Sequence, residues 1–270
     1  MLIVLIITIV ASFIFIRHWW FWSPMDTTTI YKDRSPLFIG HRGMVNLAPE
    51  NTLLSYKAAL DLGFPSAEMD VVPTKDGQIV CSHNFDLERE SDGNGWIDEI
   101  RFDNLKRVNT GIYSHPNHLG RFNKLLEVCA QLPEEIIINI EIKSHSVWHI
   151  RPALSVARMI KSREIKQQVI VSSFNPFVIW AIKWVHRDIL TALILEEMTY
   201  FWTINLVHPD FIHPDAVLVD DQLLLFCAKH NLAINVWTVN TIPAVRWLLN
   251  KGVNGIITNN PNAIKVFYET

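Results

Sequence analysis

The sequence that decides the fold begins with Ile-Gly-His-Arg-Gly at residues 39–43 and continues with Glu-Met-Asp-Val at residues 68–71. If the second stretch forms a strand, Glu68 and Asp70 project from the same face, because side chains alternate along a strand. Burying two bare carboxylates side by side is costly, and a divalent cation with oxygen ligands relieves that cost. A solvated face of an edge strand is the alternative explanation for an isolated pair of this kind.

The stretch Ile-Ile-Ile-Asn-Ile-Glu-Ile at residues 136–142 repeats this pattern. Asn139, Glu141 and Lys143 alternate with isoleucines, so all three polar side chains face one way on an otherwise apolar strand. A buried Glu–Lys ion pair is one explanation, but its desolvation is expensive. We therefore expect Glu141 to join the earlier acidic pair as a third ligand of one divalent ion.

Outward from these stretches, apolar strand patterns alternate with helical patterns as far as the C-terminus. Asp76-Gly77 indicates a hairpin, so the second strand is expected to fold back before the alternation resumes. Without that return arm, the parallel strands are predicted at residues 37–39, 67–72, 136–142, 168–173, 190–195, 216–219, 233–238 and 254–258. This α/β pattern of eight units in about 230 residues predicts a TIM (β/α)8 barrel. A doubly wound open sheet is the alternative, but no Gly-x-Gly-x-x-Gly fingerprint follows the first strand.

The predicted barrel covers residues 37–270, with an insertion at about residues 85–120 and a linker at residues 23–36. The insertion is polar and glycine-containing, which favours a lid over the substrate. The net charge of −3 gives no indication of a nucleic-acid partner. Three widely spaced cysteines argue against a disulfide framework or a cysteine-rich zinc site.

Residues 1–22 predict an N-terminal transmembrane anchor. Residues 2–16 are apolar apart from Thr8 and Ser12, and the aromatic residues at 19–22 are typical of a membrane interface. As a helix, residues 2–22 would span ~31 Å, about one hydrocarbon core. A cleaved signal peptide is the alternative, but no basic residue precedes the run and bulky aromatics fill the expected cleavage zone. The nearby basic residues follow the run, which favours a cytoplasmic catalytic domain.

An ordered set of short motifs carries a family resemblance. The motifs are His41-Arg42-Gly43, Pro49-Glu50-Asn51-Thr52, Glu68-x-Asp70-Val71, Thr74-Lys75-Asp76-Gly77 and His83. Together they resemble the glycerophosphodiester phosphodiesterase family, and the resemblance runs from about Leu37 to the C-terminus. It implies Mg²⁺ or Ca²⁺ as cofactor. It also implies hydrolysis of glycerophosphodiesters to sn-glycerol 3-phosphate and an alcohol, with water or the substrate's own glycerol hydroxyl attacking phosphorus.

The resemblance also implies roles for individual residues. His41 and His83 would form an acid–base pair, a role that suits two histidines at adjacent strand ends near a metal. Which of the two is the base is left open. Arg42 would bind phosphate oxygens through its bidentate fork, and Lys143 would do so as a point charge.

Three further residues are candidate substrate contacts. His213 precedes a proline close to a predicted strand, while Trp237 and Phe174 would suit a wall for the glycerol or alcohol moiety. Ordinary core packing explains the two aromatics equally well.

One position departs from the family pattern, because Asn84 stands where the family usually has Asp. Asn keeps hydrogen-bonding capacity but loses the charge. This departure favours an alternative of another class, a catalytically weak phosphodiester-binding protein. A second alternative is lysophospholipase D activity on lysolipids, which a membrane anchor favours. The oligomeric state is left open.

Overall fold

The chain forms a closed parallel barrel in a computed structural model that describes residues 2–32 and 35–268. Its strands, in chain order, are β1 (Leu37–Gly40), β2 (Ser66–Pro73), β3 (Ile79–Cys81), β4 (Asn109–Thr110), β5 (Gly120–Arg121), β6 (Ile137–Ile142), β7 (Gln168–Ser173), β8 (Leu190–Leu195), β9 (Phe211–Pro214), β10 (Ala233–Val236) and β11 (Gly255–Thr258). Its helices are α1 (Leu2–Trp20), α2 (Thr28–Tyr31), α3 (Leu53–Asp61), α4 (Phe102–Leu105), α5 (Leu125–Cys129), α6 (Arg151–Lys161), α7 (Pro176–Val185), α8 (Ile204–Val207), α9 (Asp221–His230), α10 (Ile242–Lys251) and α11 (Lys265–Tyr268).

Strand pairing closes the barrel. The sheet runs in the order β1-β11-β10-β9-β8-β7-β6-β2, and β1 also pairs with β2, all in parallel. Within the described residues this makes eight parallel strands, which confirms the predicted TIM barrel. The predicted hairpin is confirmed as well, because β3 lies antiparallel to β2 with Val71 opposite Cys81.

The prediction of the sixth strand was wrong. Residues 216–219 were expected to form it, but the strand is β9, Phe211–Pro214, and Ala216–Leu218 form a 3₁₀ helix. The Asp215 carboxylate accepts a hydrogen bond from the Val217 amide and so caps that turn. The apolar run after Asp215 therefore forms a capped helical turn and not a strand. His213 consequently lies inside the strand.

The segment predicted as a linker packs against the barrel. Helix α2 lies within residues 23–36, and its Ile30 and Tyr31 side chains are buried at the N-terminal end of the strands. The Tyr31 hydroxyl donates to Asn235 Oδ1 at 2.7 Å. This segment therefore contributes to the core, and the domain boundaries drawn from sequence stay a prediction.

The insertion at residues 85–120 has a small apolar core of its own, to which Leu87 and Ile97 contribute. It also contacts the loop between β6 and α6. Asp98 Oδ2 lies 3.1 Å from His145 Nε2, and the ring centroids of Phe85 and His145 are 3.5 Å apart. The insertion is thus fixed at the rim of the barrel mouth, while its role as a lid stays a prediction.

Helix α1 is apolar and exposed over most of its length, and its last turn packs against α8. The ring centroids of His18 and His208 lie 4.2 Å apart. The transmembrane helix predicted over residues 1–22 is not supported: α1 ends at Trp20, and no described helix combines the length and apolarity needed to cross a bilayer. Met1 and Arg34, which entered the anchor and charge predictions, lie outside the described residues.

Candidate active site

Three carboxylates meet at the C-terminal ends of the neighbouring strands β2 and β6. Glu68 and Asp70 lie on one face of β2, and Glu141 stands opposite Asp70 in the parallel register. All three are buried, and one oxygen from each lies within 4.8 Å of the others. The alternation of side chains along each strand thus brings together the three acids expected to bind a metal.

Two basic side chains offset part of this negative charge. The Lys143 ammonium lies 3.1 Å from Asp70 Oδ1 and 2.5 Å from Glu141 Oε1. Arg42 Nε lies 3.3 Å from Asp70 Oδ2, and Arg42 Nη1 donates to Glu50 Oε2 at 2.8 Å. Asp70 is therefore compensated by both cations.

Glu68 is compensated less well. Among the described residues it has no lysine or arginine partner. His41 Nε2 lies 3.6 Å from it, and Asn139 Nδ2 donates to it at 3.4 Å. Burial raises the pKa of Glu68, and the charge of Asp70 raises it further. Burial also raises the pKa of Glu141. For Asp70, burial would raise the pKa, but the two neighbouring cations outweigh it and lower that pKa.

The donor set fits a hard divalent cation. Within the described residues, the cluster consists of carboxylate oxygens, the ligand type that Mg²⁺ and Ca²⁺ prefer. Burial disfavours the charged form of two of its members, so an ion between them would supply positive charge where it is lacking. Three carboxylates also leave coordination positions for water and phosphate. Metal binding itself stays a prediction.

The turn after β1 sets the positions of His41 and Arg42. Gly43 has a φ of 85°, and a Cβ there would lie 2.5 Å from the backbone carbon of Ser55 in α3. Only glycine allows this approach. Arg42 itself has a φ of 53°, an uncommon conformation for a residue with a side chain. The turn therefore directs Arg42 back toward the carboxylates.

Each of the two histidines has an asparagine on its Nδ1 atom. His41 Nδ1 donates to Asn259 Oδ1 at 2.8 Å, and His83 Nδ1 donates to Asn84 Oδ1 at 3.0 Å. With Nδ1 as donor, the neutral ring keeps Nε2 free to accept a proton. Burial lowers the pKa of His41, and it lowers the pKa of His83 to about 4 although Asp70 opposes the shift.

A small cavity of about 50 Å³ joins these groups to the candidate substrate contacts. Phe174 and Trp237 lie on one side with their ring centroids 5.5 Å apart, edge to face. His213 is buried, its Nε2 accepts from Asn235, and its backbone oxygen accepts from Trp237 Nε1. Burial lowers the pKa of His213 to about 3, so the ring is neutral at physiological pH. All three residues line the cavity, and their role as substrate contacts stays a prediction.

The glycerophosphoryl diester phosphodiesterase family model matches residues 41–263, a span that includes every candidate site residue. The chain belongs to this family. Its membership confirms the resemblance seen in the ordered motifs and the prediction that the chain is a phosphoric diester hydrolase.

Relatives of this chain match it over most of its length. A glycerophosphodiester phosphodiesterase of Caldanaerobacter subterraneus subsp. tengcongensis is 29% identical over 84% of this chain and 96% of its own. One from Bacillus subtilis is 24% identical over 84% of each chain. An Oleispira antarctica phosphodiesterase, solved with the product sn-glycerol-3-phosphate, superposes with a TM-score of 0.81 over 88% of this chain and 98% of its own, at 23% identity.

Sequence reasoning missed several residues that position the phosphodiesterase site. Asn51, which the sequence showed only as part of the motif at residues 49–52, donates to Asp70 Oδ2 at 2.9 Å, while its Oδ1 accepts from the Asp70 amide and the Tyr56 hydroxyl. Thr52 caps α3. Asn259, directly after β11, accepts a hydrogen bond from His41 Nδ1 and so orients that ring. The motif around Asn51 was noticed, but nothing in it shows which way the side chain turns.

Proposed function

We propose that the protein hydrolyses glycerophosphodiesters to sn-glycerol 3-phosphate and an alcohol, with a divalent cation held by Glu68, Asp70 and Glu141. The observation that carries this proposal is the buried carboxylate cluster between His41 and His83 at the barrel mouth. The names of the relatives and the product bound in the Oleispira antarctica structure support the choice of substrate.

Arg42 and Lys143 would bind the phosphate. Both cations already face the cluster, and their fixed positions let them contact phosphate oxygens without reorganisation. A bound divalent cation would add charge neutralisation at the same oxygens. Since Lys143 contacts Asp70 and Glu141, it would bridge ligand carboxylates and phosphate.

His41 and His83 would transfer the protons. One ring accepts the proton of the attacking hydroxyl, from water or the glycerol moiety, as that oxygen bonds to phosphorus. The other protonates the leaving alcohol oxygen as its bond to phosphorus breaks. Burial disfavours the protonated form of both rings, which suits the base, and an arriving anionic phosphate would favour protonation of the acid.

Phe174, Trp237 and His213 would form the wall beside the glycerol or alcohol moiety. The edge-to-face pair is partly exposed to the cavity, which favours a contact with substrate over pure core packing. Lys143 Nζ lies 5.8 Å from the centroid of the Phe174 ring, so this wall adjoins the phosphate position.

Lysophospholipase D activity is the second candidate, and helix α1 favours it. Exposed apolar side chains follow one another along α1, including Val4, Phe13 and Ile16. We propose that α1 holds the domain at a membrane, with the catalytic domain on the cytoplasmic side. Burial of this apolar surface in lipid would stabilise the attachment. Resistance of the bound protein to high salt, and protease access from one side, test both points.

The alternative of another class is a catalytically weak protein that binds phosphodiesters. It is suggested by Asn84, which lacks the charge of the usual Asp. Its hydrogen bond to His83 retains the orientation of the imidazole, which argues for catalysis. The test is a side-by-side assay with glycerophosphocholine and lysophosphatidylcholine, with and without chelator. Release of sn-glycerol 3-phosphate supports the first candidate, and release of lysophosphatidic acid supports the second. Binding of either substrate without metal and without turnover would leave only the alternative of a phosphodiester-binding protein.

A further inference from the structure

A second, larger cavity lies at the opposite end of the barrel. It has a volume of about 530 Å³ and opens between the last turn of α1 and helices α7 and α8. Arg187 and Asp210, which line it, precede β8 and β9, so the cavity belongs to the N-terminal end of the strands. The proposed catalytic residues lie at the other end, and the proposed reaction makes no use of this cavity.

The charge lining this cavity is mainly positive. Among the described residues that line the cavity, one carries a carboxylate: Asp210 is buried and paired with Lys183, and it also accepts from the backbone amides of Met25 and Thr191. Arg17 and Arg187 remain. Neither guanidinium forms an ion pair with any residue in the part of the chain that the structure describes. The cavity thus carries two cations whose charge is not offset.

The remaining lining is aromatic and apolar. Trp180 and Trp184 stack with ring centroids 5.7 Å apart, and Trp184 is 70% exposed. Phe21 on the facing side is 73% exposed, and Ile14 of α1 continues the apolar surface away from the cations. Aromatic side chains beside basic ones, at the end of an apolar helix, form the arrangement found at membrane interfaces.

We propose that this cavity binds the phosphate headgroup of an anionic membrane phospholipid, with Arg17 and Arg187 as its ligands. The acyl chains lie along the exposed apolar side chains of α1. Charge complementarity selects an anionic headgroup, and the aromatic rim places it at interfacial depth. The site is independent of the proposed reaction, because no residue in the described part of the chain lines both this cavity and the catalytic cavity.

The test uses full-length protein in neutral detergent, titrated with dihexanoyl phosphatidylglycerol or dihexanoyl phosphatidylcholine. Tryptophan emission reports binding beside Trp180 and Trp184. Chelator and excess sn-glycerol 3-phosphate keep the lipid out of the proposed active site. The compared variants are Arg17→Gln with Arg187→Gln, and a control that removes two exposed basic charges elsewhere, Lys57→Gln with Arg107→Gln.

We expect wild type and control to prefer phosphatidylglycerol. The Arg17→Gln, Arg187→Gln variant should bind it about 25-fold more weakly, since each basic residue near an anionic surface contributes about fivefold. Equal affinity of wild-type protein for the two lipids would overturn the proposal, whatever the variants do. The proposal would also be overturned if the control lost as much affinity for phosphatidylglycerol as the arginine variant. Binding of inorganic phosphate as tightly as the lipid would overturn it too. Since the readout is binding, failure of the proposed hydrolysis would leave this result unaffected.

Discussion

Asn84 Oδ1 accepts a hydrogen bond from His83 Nδ1 at 3.0 Å, so an amide orients the imidazole where the family usually has a carboxylate. We predict that Asn84→Asp keeps or raises kcat, because an anion there would favour the imidazolium. Asn84→Ala should lower kcat by about 5- to 10-fold, the equivalent of one lost hydrogen bond. Steady-state kinetics on glycerophosphocholine measure both. A folded Asn84→Asp protein with strongly reduced kcat would show that the site depends on the neutral amide.

His41→Ala and His83→Ala should each lower kcat by ~10²-fold or more, the usual contribution of a general acid or base. The matched control is His186→Ala, because His186 follows α7 at the other end of the barrel. Its kcat should equal that of the wild type. A near-normal rate for either site variant, on a substrate with a poor leaving group, would remove that histidine from the proposed pair.

Glu68→Gln and Asp70→Asn should differ in stability when metal is absent. Glu68 has no lysine or arginine partner among the described residues and burial raises its pKa, so Gln should leave the Tm unchanged or higher. Asp70→Asn removes the carboxylate that Lys143 and Arg42 share, while each cation keeps a second one, Glu141 or Glu50, so the loss should be about 1.5–3 kcal/mol. Thermal unfolding in chelator measures both. Equal destabilisation by the two substitutions would contradict this account of the charges.

Two N-terminal truncations should show that α2, but not most of α1, contributes to the stability of the barrel. Removal of residues 1–16 leaves Trp22, whose Nε1 donates to Asn205 Oδ1, so stability and turnover of glycerophosphocholine should be retained. Removal of residues 1–31 also deletes Ile30 and Tyr31 from the barrel end. Losing large buried side chains of this kind costs about 2–5 kcal/mol each, which urea unfolding would detect. Equal stability of the two truncated proteins would show that α2 contributes nothing to the core.

The barrel, the hairpin and the shared face of Glu68 and Asp70 could be predicted from the sequence because each depends on local periodicity or on a short turn motif. The functional roles of the site residues stay predictions. The Glu68 and Asp70 alternation and the Asp76-Gly77 turn are visible within a few residues. β9 was misplaced because Phe-Ile-His-Pro has little apolar pattern, whereas the apolar run after it forms a 3₁₀ turn. The contact between His41 and Asn259 joins residues 218 positions apart, and only barrel closure brings them together.

The N-terminal segment shows a different limit of sequence reasoning. Hydropathy predicted a spanning helix and a linker, yet the contacts of Trp22 and Tyr31 with the barrel depend on tertiary packing. Residues 23–36 form a short and largely polar segment, so no periodic pattern indicates that Ile30 and Tyr31 are buried. The same packing creates the cavity beside Arg17, which no motif indicated.

The release of sn-glycerol 3-phosphate from glycerophosphocholine, followed as Mg²⁺ or Ca²⁺ is added back to chelated protein, tests the central claim most directly. Wild-type protein should be inactive in chelator and recover with saturable dependence on the cation. Glu68→Gln and Glu141→Gln should remain inactive or need far more metal, while the control His186→Ala should follow the wild type. Full turnover of the wild type in chelator, or of Glu68→Gln without added metal, would contradict the account.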